Sequence, residues 1–275
     1  MIVAASDFSM PSLTFNLELH CHTIASMDGL MSFESLVTTA QAIGLDAVAI
    51  TDHDTIAGAV EFQARARREK IPLQFIVGEE KTLADGSHFI GLFLERAIES
   101  GDLAGAIAEI DAQGGLCLIP HPFRRKDGLL RDGLEPLKLL EGKRAAFEIF
   151  NAKCSAVENR RAADLLRVTS LTPFGGSDAH YESDLGEAMN VIEKAGDLKS
   201  SVEQMFERRT PFQILGKPQS IGDRERAYAP LYYRVKKYVR LPKPLVPVAR
   251  ECYRRYRNWK YGVGPKSLRE VYRHA

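Results

Sequence analysis

Cysteine is scarce in this chain of 275 residues: Cys21, Cys117, Cys154 and Cys252 stand far apart and never as C-x-x-C. That spacing indicates neither a disulfide framework nor a thiolate zinc site, and reduced thiols in a cytoplasmic protein are expected. Long apolar runs are missing too. Nothing approaches the ~20 consecutive apolar residues of a membrane span, and the first residues lack the basic-then-apolar layout of a secretory signal. G-x-S-x-G, the Walker A pattern and G-x-G-x-x-G are absent. Acyl transfer, nucleotide-triphosphate switching and dinucleotide redox chemistry therefore have no local signature.

What is present is an ordinary globular composition, 45% hydrophobic and 27% charged, on a chain long enough for one large domain with an appendage. The net charge of +1 hides an asymmetry. Residues 217–275 hold sixteen Lys/Arg against four Asp/Glu, and eight of the nine tyrosines together with Trp259. An acidic body, 1–216, is thus expected to precede a basic, aromatic extension, 217–275, with Gly216 and Pro218 interrupting regular structure at the join.

Along the body, short β-rich runs alternate with helical patterns. Strands are expected at 15–19, 46–51, 72–77, 88–94, 116–119, 145–150 and 171–174. Helices are expected at about 33–43, 56–69, 97–113 and 157–168, the first capped by Ser32, ended by Gly44 and burying Phe33, Leu36, Val37 and Ala40. This alternation predicts an α/β fold of parallel strands and crossover helices, closed into a barrel.

The apolar runs share a grammar: each meets a polar residue at one end. His20 and His22 alternate onto one face after the first strand, and Asp28 follows. Asp52-His53-Asp54, Gly78-Glu79-Glu80, Pro120-His121-Pro122 and Ser177-Asp178-Ala179-His180 close later runs, whereas His88 opens its own. Six of the seven histidines fall at such tips. Imidazoles and carboxylates converging without thiolates suit Mn²⁺, Fe or Zn²⁺, and so many ligands imply two or three divalent ions.

The motifs H-C-H with S-M-D-G, T-D-H-D-T, G-E-E, H-F-I-G-L, H-P-F-R and G-S-D-A-H, spread over 18–180, resemble the PHP (polymerase and histidinol phosphatase) family of metal-dependent phosphoesterases. The resemblance implies a distorted (β/α)7 PHP-type barrel with up to three metals at the C-terminal strand ends. It implies one metal on His20, His22, Glu80 and Asp178. A second would sit on the bridging Glu80 with His88 and His121, and a third on Asp28, His53 and His180. Some relatives carry His where this chain has Asp28. Strand alternation lets only one of Glu79 and Glu80 point inward, and the family spacing favours Glu80. The interval from His88 to His121 is short, which implies a more open site than in longer members.

Hydrolysis of a phosphomonoester follows from such a centre: paired ions make water acidic and clamp the phosphoryl group. The candidate substrates are a nucleotide, a sugar phosphate or a short oligonucleotide end. Arg124 suits bidentate phosphate contact, with a surface salt bridge as the alternative. His180 or Asp52 is the expected proton donor, while Glu148 and Asn151 are expected to orient substrate or a metal ligand. Two competing readings are an amidohydrolase-type metal-dependent hydrolase and a non-catalytic PHP-like module targeted to a polyanion.

In the extension, Val248, Cys252, Tyr256 and Trp259 recur at helical spacing, as do Leu231, Val235, Tyr238 and Val239, with Pro242, Pro244 and Pro247 between the two segments. The aromatic stripe either packs back on the acidic body or meets an anionic membrane surface or nucleic acid. The protein is then expected to be cytoplasmic, with peripheral membrane attachment under the membrane reading.

Overall fold

The computed structural model describes residues 13–218 and 245–274. Runs such as Ala47-Val48-Ala49-Ile50 have no polar face, so they demand cover on both sides, and all four residues are buried. Seven strands lie side by side in chain order: β1 Thr14–Cys21, β2 Ala47–Ile50, β3 Gln74–Thr82, β4 His88–Leu92, β5 Leu116–Ile119, β6 Ala145–Asn151 and β7 Thr172–Gly176. Helices α1 Phe33–Ile43, α2 Ala57–Glu69, α4 Leu137–Leu140 and α5 Ala156–Asp164 lie in the crossovers between parallel strands, and α3 Leu103–Ala112 connects β4 to β5. As expected, Ser32 caps α1, its side chain accepting from Ser35 N at 3.2 Å, and Gly44 ends it at φ 78. Phe33, Leu36, Val37 and Ala40 are its buried face.

One strand departs from the expected parallel arrangement. β4 runs antiparallel to both β3 and β5, while β1–β2–β3 and β5–β6–β7 are parallel. The reason is local: a tight turn with Gly86 at φ 79, too short for a crossover helix, joins β3 to β4. His88 at the start of β4 therefore lies at the same end as the C-termini of the other strands.

β1 has two partners along its second edge. Its first half pairs antiparallel with β8 Ala188–Glu193. Its last residue bridges in parallel to Ala179, where His22 N donates to Ala179 O at 2.8 Å. Between these, Asn190 of β8 acts as a substitute peptide: its Oδ1 accepts from Gly175 N at 2.8 Å and its Nδ2 donates to Gly175 O at 2.7 Å. The seven strands thus curl into the distorted barrel expected from the sequence, and β8, β9 Phe212–Gly216 and β10 Arg269–His274 continue the sheet beyond it. Helix α6 Leu198–Phe206 packs behind β8. Strand β10 comes from the extension expected to be helical. Its sequence, R-E-V-Y-R-H, is too charged to signal a strand, and its pairing with β9 makes it one.

The extension also forms helix α7 Leu245–Tyr261, and here the expectation that the aromatic stripe packs on the body is reversed. Trp259 is 80% exposed, Val248 59% and Tyr256 46%, and Cys252 is exposed, whereas Arg257 on the docked side is 4% exposed. The barrel surface beneath explains this. Glu182 and Asp184 are buried there, and a buried carboxylate needs a cation more than an apolar stripe needs cover. Pro247 does not separate segments; it lies in the first turn of α7, where its missing N–H costs nothing. The segment of Leu231, Val235, Tyr238 and Val239, with Pro242 and Pro244, lies outside the described residues. No described helix is long and apolar enough to cross a membrane.

Cys21, Cys117 and Cys154 are buried. Burial pushes the Cys117 thiol up to about 12 and the other two well above the usual range. Only thiolates react. Native protein at pH 8 is therefore expected to show one thiol reactive to a disulfide reagent, Cys252, and four after denaturation, read from the released chromophore.

Candidate metal centre

The strand ends gather the expected side chains around one carboxylate. Glu80 Oε1 lies 2.8 Å from His88 Nδ1 and 2.8 Å from His121 Nε2. Its Oε2 lies 3.2 Å from His20 Nε2, 3.2 Å from His22 Nε2 and 3.4 Å from His53 Nδ1. Glu79, its neighbour, turns to the other face and accepts from Ile98 N at 2.8 Å. Alternation decides between the two, because β3 is still extended at this point.

Asp178 Oδ1 completes a group with His20 and His22 at 3.7 and 3.5 Å. Asp28 Oδ2 lies 3.2 Å from His180 Nε2 and 3.5 Å from His53 Nε2. Donor atoms within 4.8 Å of one another form the sets His20/His22/Asp178, His20/Glu80/His121, His53/Glu80/His88 and His22/Asp28/His53/His180. His88 and His121 also form such a set with Asp127, which sequence reading missed. Its only signal was an acid six residues past His121.

Close packing shapes this floor. A Cβ on Gly176 would meet Glu148 Oε1 at 1.9 Å and the His20 Cβ at 2.9 Å, so only glycine leaves room for both. His121 and Asp178 sit at φ 29 and φ 51, a left-handed conformation that L residues adopt at a cost, tolerated where surrounding structure enforces it.

Several expected roles change. Asp52 does not join the cluster: it is buried, and its Oδ1 and Oδ2 accept from Thr23 N at 2.6 Å and Thr23 Oγ1 at 2.7 Å. It braces the loop after His22 and is in no position to give a proton to a substrate. Glu148 and Asn151 are buried as well, and of the two partners expected for them, substrate or a metal-ligating side chain, their contacts are with the latter. Glu148 Oε1 accepts from His20 Nδ1 at 2.8 Å, and Oε2 accepts from His121 N at 2.5 Å and Asn151 Nδ2 at 2.8 Å. Beneath them lies Glu18, which alternation places on the face of His20 and His22 and which sequence reading overlooked. It accepts from the His20 and Ser177 amides at 3.0 and 3.1 Å and from the Ser177 hydroxyl. Burial pushes Glu18 up to about 7 against those bonds.

Arg124 is no surface salt bridge. Its Nη1 lies 2.6 Å from Asp178 Oδ2, its Nε 2.5 Å from Asp127 Oδ1, and its Nη2 donates to His121 Nε2 at 2.9 Å.

Burial alone would raise Glu80 and Asp178, yet His88, His20 and His53 hold Glu80 well below the carboxylate range, and His20 and Arg124 do the same for Asp178. Reciprocally, against burial, Asp178 and Glu80 raise His22 to about 10. Among the described residues, ring nitrogens of His22, His53 and His121 are also buried with no hydrogen-bond partner. Nitrogen and oxygen donors, unpartnered ring nitrogens and anionic carboxylates together fit divalent cations.

Comparison with known proteins agrees with this geometry. The PHP domain model matches residues 18–152, and the PHP-associated model matches 157–208. An uncharacterized protein of Methanocaldococcus jannaschii is 32% identical over 146 residues, which cover 49% of this chain and 81% of that one. A 5'-3' exoribonuclease of Haemophilus influenzae is 37% identical over 87 residues, 30% of this chain and 31% of that one. Among solved structures, a two-domain protein from Bacteroides vulgatus containing a predicted PHP-like metal-dependent phosphoesterase superposes with a TM-score of 0.58 at 25% identity, over 72% of this chain and 64% of that one. The two models together run from the strand that carries His20 and His22 to the end of α6, and the fold match covers most of the chain; on both grounds the chain belongs to the PHP domain family.

Proposed function

We propose that this protein is a metal-dependent phosphoesterase that hydrolyses a phosphomonoester of a nucleotide, a sugar or a short oligonucleotide end. The observation that carries the reading is the division of Glu80, one oxygen facing His88 and His121 and the other facing His20, His22 and His53. A single carboxylate spanning two donor sets is what a pair of adjacent cations requires. Under this reading His20, His22, Glu80 and Asp178 hold one cation, Glu80, His88 and His121 a second, and Asp28, His53 and His180 a third. When bound, such cations supply Lewis acidity, polarising a phosphoryl oxygen and making water acidic enough to attack near neutral pH.

The chain's own groups do the rest. Glu148 fixes the tautomer of His20 by accepting a hydrogen bond from Nδ1–H, which leaves the lone pair of Nε2 facing Glu80 and Asp178. Arg124 presents a fork of N–H donors beside the cluster, oriented by Asp127 and Asp178, and binds the phosphate oxygens. His180 donates through Nδ1 to the Asp178 carbonyl at 2.8 Å, which directs Nε2 to the half-exposed Asp28. With a proton on Nε2 it serves the departing oxygen; with a cation beside Asp28 it is a ligand. Metal stoichiometry decides between these two roles.

The test is elemental analysis of the purified chain, followed by phosphate release from nucleoside monophosphates, sugar phosphates and 5'-phosphorylated oligonucleotides. Bound metal and chelator-sensitive release are expected. Bound metal with amide or deaminase turnover and no phosphate release would replace this reading with the amidohydrolase one. Glu148→Gln is expected to weaken metal affinity and kcat/KM by about 10- to 100-fold, because an amide nitrogen placed near His20 Nδ1 repels its N–H. Isothermal titration of the metal-free variant measures the loss.

A further inference from the structure

The donor groups of the site are supported unequally. His20, His22, Glu80, His121 and Asp178 are buried at the strand ends. Asp28, His53 and His180 are more open, with side chains 34%, 23% and 18% exposed. Asp28 and His180 stand on loops, and loops hold ligands less firmly than strands do. These two loops are tied to each other, since Leu30 N donates to His180 O at 2.9 Å. Helix α7 grips both from outside. Arg250 Nη2 donates to the carbonyl of Gly29, next to Asp28, at 2.9 Å. Gly29 packs closely on the loop after His22, where a Cβ would meet the Thr23 carbonyl oxygen at 2.1 Å, so the position takes no side chain. On the second loop, Arg254 Nη1 and Asn258 Nδ2 take the two oxygens of Glu182 at 2.6 and 2.8 Å, and Asn258 Oδ1 accepts from Ser183 N at 3.2 Å. Arg257 Nη2 donates to Asp184 Oδ1 at 2.7 Å, and Asp184 Oδ2 accepts from the backbone N of His180 at 3.4 Å.

We infer that α7 is a positioning clamp for the Asp28 and His180 end of the centre, so that a cation beside those residues is held tightly only while the polar face of the helix is docked. The inference rests on the metal reading above and assigns the basic extension a task within it. Arg250, Arg254 and Asn258 touch no metal donor directly. They act through Gly29, Glu182 and Ser183 as positioning residues. Their removal loosens one class of cation site and leaves the strand-borne classes intact.

The experiment titrates the metal-free full-length chain with Mn²⁺ and reads free Mn²⁺ by electron paramagnetic resonance. Arg254→Met is expected to weaken one class of site by about 10- to 100-fold and leave the others unchanged. Arg254→Lys, which returns a cation to Glu182, is expected to recover part of the loss. Arg250→Ala removes one bond to a carbonyl, and it carries the test if Arg254→Met does not fold. Folded variants that match wild type at every class would overturn the clamp, as would uniform weakening of all classes. A wild-type chain that takes up no Mn²⁺ would instead remove the metal reading on which the clamp rests.

Discussion

Replacing Glu80 by Gln is expected to lower kcat/KM for a phosphomonoester by at least about 1,000-fold, equivalent to about 4 kcal/mol of transition-state stabilisation. The substitution keeps the volume but removes the charge and one acceptor. Glu80 faces five imidazoles through its two oxygens. An amide can serve one set with its oxygen, but its NH₂ then points at lone pairs of the other set. Both proposed cation positions that share Glu80 lose affinity together, so elemental analysis is expected to show the metal content falling with the activity. The control is the adjacent residue. Glu79→Gln keeps an acceptor for Ile98 N on the opposite face, so its kcat/KM is expected to stay within about twofold of wild type. Glu80→Gln retaining full metal and activity would show that the carboxylate is not shared, and the two-cation reading would fall with it.

The side chains around Glu80 were legible because strand alternation and strand-end placement are local rules. His20 and His22 converge because they are two apart in β1, and Glu80 parts from Glu79 for the same reason. His88 was legible as an anomaly, a polar residue opening its run, and the antiparallel β4 explains it. The illegible features depend on partners distant in sequence. Glu148 reads as a strand-end acid. Only the approach of His20, 128 positions away, makes it an orienting group. Asp52 reads as one more acid in a polar tip, and its capture by Thr23 follows from the register in which β1 and β2 pair, Cys21 opposite Ile50. Helix α7 failed in a more general way. Amphipathic reasoning assumes that the apolar face is the buried one, and that assumption yields when the receiving surface is itself charged.

That reversal has a measurable energetic consequence, because Arg257 is 4% exposed and Asp184 1% exposed. Removing one member of a buried ion pair leaves the other charge out of water without its counter-ion, which costs about 3–5 kcal/mol in general. Here Lys153 Nζ remains 2.6 Å from Asp184 Oδ2, so Arg257→Met is expected at or below the low end, about 2–3 kcal/mol. The Arg257 guanidinium also stacks 4.6 Å over the Tyr181 ring, and Met keeps part of that contact. The charge explanation and the packing explanation diverge in the double variant. If the cost arises from an unbalanced Asp184, then Asp184→Asn combined with Arg257→Met restores part of it, because Asn needs no counter-ion, although Lys153 keeps only a neutral acceptor in place of its carboxylate. If the cost arises from lost packing, the second substitution restores nothing. Denaturant midpoints of the two single variants and the double variant, compared at constant slope, give the coupling energy directly. A coupling below about 0.5 kcal/mol would mean that Arg257 holds the helix by stacking on Tyr181 rather than by charge.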